Sequence, residues 1–308
     1  MPSCVVDRPA DSLRSSAVKN PYLKQLTRRL RGRWSARTLG EHGIAILAET
    51  KNGRLAVPAG DFNVSRSLLQ NGEYDWPQIT WLKPLLDESS RLVFAGAHIG
   101  AVLIPLVNSA GTRAVVAYEP SPRNFKLLAT NLELNGTQGV ATINAALGER
   151  VGDIQFTENA INTGNSRIAP TGGEITVKLA TLDATLPPDW NHVDLIVMDT
   201  EGSEVAAMRG APRTLAKTKN FYVEFSPEQL REQGSSAVEF AETVEKYFKS
   251  AYVFGAPIVF LGPGKFAEYL KALQHSRSLL LNILFTQDLE ANPQRMMSTL
   301  ARQENRHG

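Results

Sequence analysis

Two periods alternate along the chain. Short apolar runs without helical period, the mark of strands buried on both faces, occur at residues 92–94, Ala114–Tyr118, Val140–Ile143, Val193–Met198 and residues 220–225. Helical stripes lie between them. Ser121-Pro122 offers a cap residue with proline at the first helical position. Phe125, Leu128, Ala129 and Leu132 then fall at i, i+3, i+4 and i+7, predicting a core-facing stripe that Asn135-Gly136 stops. Further helices are expected from Ala101, over 203–209 with a turn at Ala211-Pro212, from Ser236 to about Phe248 behind a capping box closed by Glu239, and near 265–273. Residues 252–254, 258–261 and 279–285 read as closing strands. Strands alternating with helices predict an α/β chain, a Rossmann-like parallel sheet with helices on both faces, and the last two strands suit an antiparallel edge.

Before the first core strand the pattern is looser. Residues 1–20 are polar, and 21–34 read as a helix with Tyr22, Leu23, Leu26 and Leu30 on one face. Its arginines read as a solvated face; the sharper alternative is attraction to an anionic substrate or a membrane surface. Residues 44–50 and 54–60 flank Asn52-Gly53, a hairpin signal. Residues 65–69 read as a short turn, and a helix through Ile79, Leu82, Leu85 and Leu86 meets a disturbing Pro84. Residues 153–156 and 174–179 read as strands, and the polar stretch 158–173 between them as a mobile loop over the site. The expected organisation is an N-terminal extension over 1–78, a catalytic α/β domain over 79–290 and a polar tail over 291–308.

Composition narrows the class. A chain of 308 residues with a 43% hydrophobic fraction builds a sizeable core. Its 33 basic and 31 acidic residues nearly cancel, so no global field favours nucleic acid. The single cysteine, Cys4, excludes an internal disulfide framework and suits a reducing, cytoplasmic setting. No apolar run reaches membrane-spanning length, and the N-terminus lacks the apolar stretch of a signal peptide.

Candidate chemistry gathers at strand ends. Ala95, Gly96, Ala97 and Gly100 follow the strand at 92–94, and small residues there let a ligand approach the backbone beneath a helix N-terminus. Glu119 ends the next strand, where an acid takes ribose hydroxyls in a βαβ nucleotide site. Asp199 and Glu201 follow the strand 193–198, and Glu224 ends the strand 220–225, so ligands at the carboxyl ends would meet all three. Glu204 reads as a helix-start acid. His98, inside the glycine loop, reads as a cofactor contact and His192 as a loop residue. Neither has a second histidine at ligand spacing, so no zinc site is expected.

Several blocks in order carry a resemblance: GAHIG over 96–100, YEPSPRNFKLLATNLELNG, AALGE, the TLD at 181–183 and DTEGSEVAAMRGA. Together, over roughly 61–225, they resemble FkbM-type S-adenosylmethionine-dependent methyltransferases. The resemblance implies a seven-stranded class I methyltransferase sheet and methylation of a hydroxyl oxygen on a sugar, glycolipid or polyketide-like metabolite. It places Gly96, Ala97, His98 and Gly100 along the methionine part of the cofactor, Glu119 and Pro120 at its ribose, and Asn144, Ala145 and Ala146 beside its adenine. Asp199, Glu201 and Glu224 become the catalytic candidates; a divalent ion shared by them is compatible but not required. The family usually has Asp, Asn and Lys where this chain has Phe94, His98 and Met198, so the cofactor loses a polar anchor. Two alternatives stand beside this one. A nicotinamide-dependent oxidoreductase would want GxGxxG, where this chain has Ala95, Ala97 and Gly100. A catalytically silent binding protein of the same fold is the alternative that Phe94 favours.

Overall fold

The computed structural model describes residues 43–169, 172–255 and 257–287. The polar tail 1–20, the basic helix 21–34, Cys4 and the tail 291–308 lie outside the described residues. The chain begins with an antiparallel hairpin of β1 (Ala45–Thr50) and β2 (Gly53–Pro58). Thr50 pairs with Gly53, so the loop is Lys51-Asn52, one residue earlier than the Asn52-Gly53 signal. The reason is Asn52 itself: it is buried, and its amide donates to the carbonyls of Tyr74 (2.7 Å) and Ala101 (2.8 Å) while its oxygen accepts from the Tyr74 N–H. The turn residue is thereby a clamp.

Residues 65–69, expected as a short turn, belong to a helix, Val64–Asn71, ended by Gly72 at φ 72°. The Asp61 carboxylate accepts from the Ser65 N–H at 2.6 Å, giving that helix the start its sequence hides. The next helix, Trp76–Leu82, stops before Pro84, which a 3-10 turn over Lys83–Leu85 absorbs.

The main-sheet strands that follow are β3 (Arg91–Ala95), β4 (Ala114–Tyr118) and β5 (Val140–Ile143). A smaller sheet then intervenes: β6 (Ala146–Leu147), β7 (Gly152–Thr157), β8 (Arg167–Ile168) and β9 (Ile175–Ala180). The main sheet resumes with β10 (Val193–Met198), β11 (Thr218–Phe225), β12 (Ser250–Phe254), β13 (Val259–Leu261) and β14 (Leu281–Thr286). Its order is β13-β12-β14-β11-β10-β3-β4-β5. The pairs from β11 through β5 are parallel, and those among β11, β14, β12 and β13 are antiparallel.

Three expectations change. The main sheet has eight strands among the described residues, not seven. Its antiparallel edge takes three strands, with β14 slotted between β11 and β12. The strands at 153–156 and 174–179 leave the main sheet for the smaller one, in order β6-β9-β7-β8. The physical reason is their pattern: β7 and β9 bury alternate residues, as strands covered on one face do, whereas β3 and β4 are buried almost throughout.

Cores cover both faces of the main sheet, because successive side chains of a strand point oppositely. Val93 and Ala95 join Ile196, Phe221 and Phe285 in one. Leu92 and Phe94 join Leu55, Ile79, Leu103 and Leu128 in the other. The helix Pro122–Leu134 packs on that second face, capped as expected by Ser121, whose hydroxyl accepts from the Asn124 N–H. Its buried residues are Asn124, Leu127, Leu128, Asn131 and Leu132, while Phe125 is half-buried and Ala129 exposed. The stripe is rotated because two asparagines face inward. Asn131 donates to the carbonyls of Ile99 and Ala56 and accepts from the Ala56 N–H. The helix over Ala237–Glu245 keeps its expected cap, Ser236 accepting from the Glu239 N–H, but ends before Phe248. No helix among the described residues is long and apolar enough to cross a membrane.

Candidate active site

Parallel register builds the site. Ala95 pairs with Tyr118 and with Met198, and Met198 with Val223. The residues that follow each pair, Gly96, Glu119, Asp199 and Glu224, therefore emerge side by side at one edge of the sheet. They line one cleft of about 1170 Å³, solvent at its mouth included.

Its first half surrounds the glycine loop. Gly96 has φ 85°, and a Cβ there would collide with the Asp199 carbonyl oxygen. Glycine is needed here so that the loop can lie against the end of β10, a close approach of backbone to backbone. Ala97, His98, Glu119, Pro120, Ala145 and Ala146 line the cleft. Gly100 and Asn144 do not. A Cβ at Gly100 would press on Ile104 and Leu128, so its smallness serves helix packing, and Asn144 braces the wall by donating to the carbonyls of Glu119 and Pro120. The Glu119 carboxylate accepts from the His98 N–H at 2.8 Å and the Ser121 N–H at 2.9 Å. Burial pushes it up to about 7 against those two bonds. The His98 ring reaches Thr163 Oγ1 at 2.8 Å, and burial holds its pKa well below the ordinary histidine range, leaving it neutral.

The described residues of the stretch 158–173 lie over this half, as a tied wall. The Thr163 N–H donates to Asp61 Oδ1 at 2.9 Å, and Thr163, Gly164, Ser166 and Arg167 line the cleft. His192 stays on an exposed loop beside Arg91 and Asp194.

The second half is acidic. Asp199, Glu201 and Glu224 each bring a carboxylate oxygen within 4.8 Å of the others. Burial comes first in raising all three carboxyls far above the ordinary range, and repulsion second, from Glu204, Asp75 and Glu119 on Asp199 and from Asp199 on Glu201 and Glu224. Asp199 is the most open of them to cleft solvent, although surrounding protein displaces its bulk hydration, and it rises least. Glu201 accepts from the Gln229 amide. Glu204 turns away to accept from the N–H groups of Thr200 and Gly202, the local bracing expected of a helix-start acid.

Among the cleft residues without a site expectation from sequence are Tyr74, Asp75, Gln78 and Tyr222. Asp75 is pushed up to about 6 by burial. The Tyr222 hydroxyl and Gln78 Oε1 are buried without a hydrogen-bond partner. One signal was readable: Tyr222 lies two residues before Glu224 on a strand, so both point to one side. The other three precede the glycine loop, and Asn52 ties the backbone of Tyr74 to that of Ala101 just beyond it. Backbone conformation marks the same place, because three of the four described non-glycine residues at positive φ, Asp75, His98 and Glu201, line the cleft. Such conformations cluster where surrounding structure over-determines them.

The family model of the methyltransferase FkbM domain matches residues 95–253, more than half of the chain. The chain belongs to this family. The FkbM match takes in the glycine loop, Glu119 and all three clustered acids, and leaves out Tyr74, Asp75, Gln78 and β14. Methyltransferase 1 of Beauveria bassiana (strain ARSEF 2860) is 24% identical over 146 residues, covering 40% of this chain and 59% of that relative's length. Among solved structures, the precorrin-6y C5,15-methyltransferase of Geobacter metallireducens GS-15 aligns with a TM-score of 0.35 and 14% identity over 68% of this chain and 87% of that one. TYW2 of M. jannaschii, in complex with AdoMet, aligns at 0.40 and 11% over 79% and 85%. An rRNA methylase of Streptococcus thermophilus aligns at 0.41 and 10% over 69% and 95%. Scores of this size register a loose likeness, so the fold rests on the strand order described above.

Proposed function

We propose that this FkbM-family chain is an S-adenosylmethionine-dependent O-methyltransferase acting on a hydroxyl of a small molecule, a sugar or secondary metabolite. The observation that carries the reading is the convergence of Asp199, Glu201 and Glu224 on the cleft that also holds Glu119 and the glycine loop. The residues present fit the cofactor. Gly96, Ala97 and His98 border its methionine part, Glu119 and Pro120 its ribose, and Ala145 and Ala146 its adenine, with Gly100 and Asn144 holding that wall from behind. A cleft rich in carboxylates also suits the positive charge of a sulfonium.

S-adenosylmethionine supplies a methyl group that an oxygen lone pair can displace from sulfur in line. The cleft walls hold the acceptor oxygen against that carbon, and positioning of this kind lowers the barrier strongly. Asp199 would take the proton of the acceptor hydroxyl as that oxygen is methylated. Its lesser rise and its solvent contact make it the most readily ionised of the three acids. A carboxylate base adds about 10²–10⁴-fold. Tyr74, Asp75, Gln78 and Tyr222 lie outside or at the far side of the cofactor wall, where they serve acceptor choice.

Parallel calorimetric titrations with S-adenosylmethionine, its demethylated product and NAD test the reading. Both sulfur compounds should bind and NAD should not. Glu119→Ala should weaken binding by about 10-fold or more, since a hydrogen bond to a charged group contributes ~1.5–3 kcal/mol. Binding of NAD alone overturns the proposal, and unchanged affinity in Glu119→Ala removes the ribose assignment.

A further inference from the structure

The acid cluster has a feature that proton transfer leaves unused. One base suffices to take a hydroxyl proton, yet three carboxylate oxygens lie within 4.8 Å of one another. The charged side chains around them make the surplus greater. Asp75 and Glu119 line the same cleft, Glu204 lies behind it, and the cation among the described lining residues, Arg167, is already paired with Glu232. A second observation points to the same spot independently. Tyr222 is 6% exposed, its hydroxyl has no partner, and it lines the cleft on the side of β11 that carries Glu224. Asn282, cross-strand neighbour of Glu224 in β14, lines the cleft too.

We propose that Asp199, Glu201 and Glu224 hold a divalent cation, with the Tyr222 hydroxyl turned to the ion or to a water on it. Hard divalent ions take oxygen donors at about 2.0–2.6 Å. Donors on opposite sides of one ion then stand about 4–5 Å apart, so the three oxygens reach one ion without rearranging the strand ends. The donor set contains no nitrogen or sulfur, which selects magnesium, manganese or calcium over zinc or copper. Three oxygens from the chain leave positions open for water and for an acceptor hydroxyl.

The catalytic consequence rests on the methyltransferase reading; the ion site does not. A hydroxyl bound to the ion is acidified. Its proton passes to the Asp199 oxygen turned away from the ion, the oxygen pair goes to the methyl carbon, and the carbon–sulfur pair stays on sulfur.

The test uses the whole chain, stripped with a chelator and free of cofactor, so its outcome is separate from that of methyl transfer. Mg²⁺, Mn²⁺ and Ca²⁺ are titrated one at a time, by calorimetry and by thermal melting. At least one should bind saturably with one ion per chain and raise Tm by about 5 °C or more at saturation. Glu224→Gln, which keeps the side chain's shape, should fold, bind S-adenosylmethionine as before and lose at least about 10-fold in ion affinity. Tyr222→Phe should weaken the ion measurably while leaving the three acids in place. No saturable binding of any of the three ions up to about 10 mM, well above the weakest protein calcium sites, overturns the proposal. So does equal ion affinity in Glu224→Gln, including when that variant binds cofactor normally.

Discussion

The two halves of the cleft treat negative charge in opposite ways. On the β3–β4 side a single carboxylate, Glu119, is held by two backbone N–H groups at 2.8 and 2.9 Å. Its geometry is set by the loop that surrounds it. On the β10–β11 side three carboxylates crowd within 4.8 Å, one of them accepting from Gln229, and the neighbouring Tyr222 hydroxyl has no partner. The first half is finished without a ligand. The second half is under electrostatic load until a proton or a cation enters. A carboxylate fixed by its loop suits a ligand that is the same in every turnover, whereas a crowded cluster suits a step in which charge moves. The FkbM match spans parts of both halves, the glycine loop and Glu119 on one side and the three acids with Tyr222 on the other.

The largest test falls on the finished half. Phe94 is 2% exposed and packs among Leu55, Ile79 and Leu103, although its ring also meets the cleft. Phe94→Asp should lose the packing of a buried ring, about 3–5 kcal/mol, and bury a carboxyl without a partner. A melting curve should show a Tm lower by about 10 °C or more, or no folded protein at all. A stable variant that binds S-adenosylmethionine more tightly would reverse the assignment and make position 94 a cofactor contact.

The next test falls on the loaded half. Asp199→Asn and Glu201→Gln keep shape and remove basicity. Each should cut turnover of an identified hydroxyl acceptor by about 100-fold, with cofactor affinity changed far less. Normal turnover in both variants would return these acids to a structural role.

The smallest effect concerns pH. A carboxyl whose pKa is higher in the folded than in the unfolded chain favours the folded state most when protonated. The stability it contributes is full below the ordinary carboxylate range near pH 4 and is lost as pH rises through the raised value. Glu119 and Asp199, both at about 7, and Glu201 and Glu224, raised further by burial and repulsion, all have this sign. In ion-free buffer, Tm should therefore decline from mildly acidic pH toward pH 9. Glu224→Gln should flatten the decline and melt a few degrees higher than the parent at pH 8, a gain of about 1 kcal/mol. A steeper decline in the variant would contradict the repulsion argument.

The parts of this chain legible from sequence share a physical character. Strands β4 and β10 are apolar runs punctuated by glycine, proline or an acid, and a strand buried on both faces has few other ways to be written. Glu119, Asp199 and Glu224 followed, because strand ends locate themselves once strands are known. Elements set by distant partners stayed hidden. The helix Val64–Asn71 depends on Asp61, which also holds Thr163. The inward face of Pro122–Leu134 depends on asparagines that hydrogen-bond the hairpin and the glycine loop, and polarity made them look solvent-facing. Asn52, a residue whose local signal is a turn, ties the backbone of Tyr74 to that of Ala101. In each case one polar side chain reads backbone far away, and no local period reports that.

The position of β14 has a temporal meaning. The chain is made from its N-terminus, so β11 and β12 are synthesised before the strand that separates them. Until Leu281–Thr286 emerges, both lack the partner each has in the finished sheet, and either could pair with the other or with a neighbouring chain. Glu224 sits on one of those open edges, opposite Asn282. The half-made protein therefore carries the parallel core and the cofactor wall before the acidic half gains its flank. Arrival of the six-residue strand Leu281–Thr286 fills the gap between β11 and β12 and pairs with both.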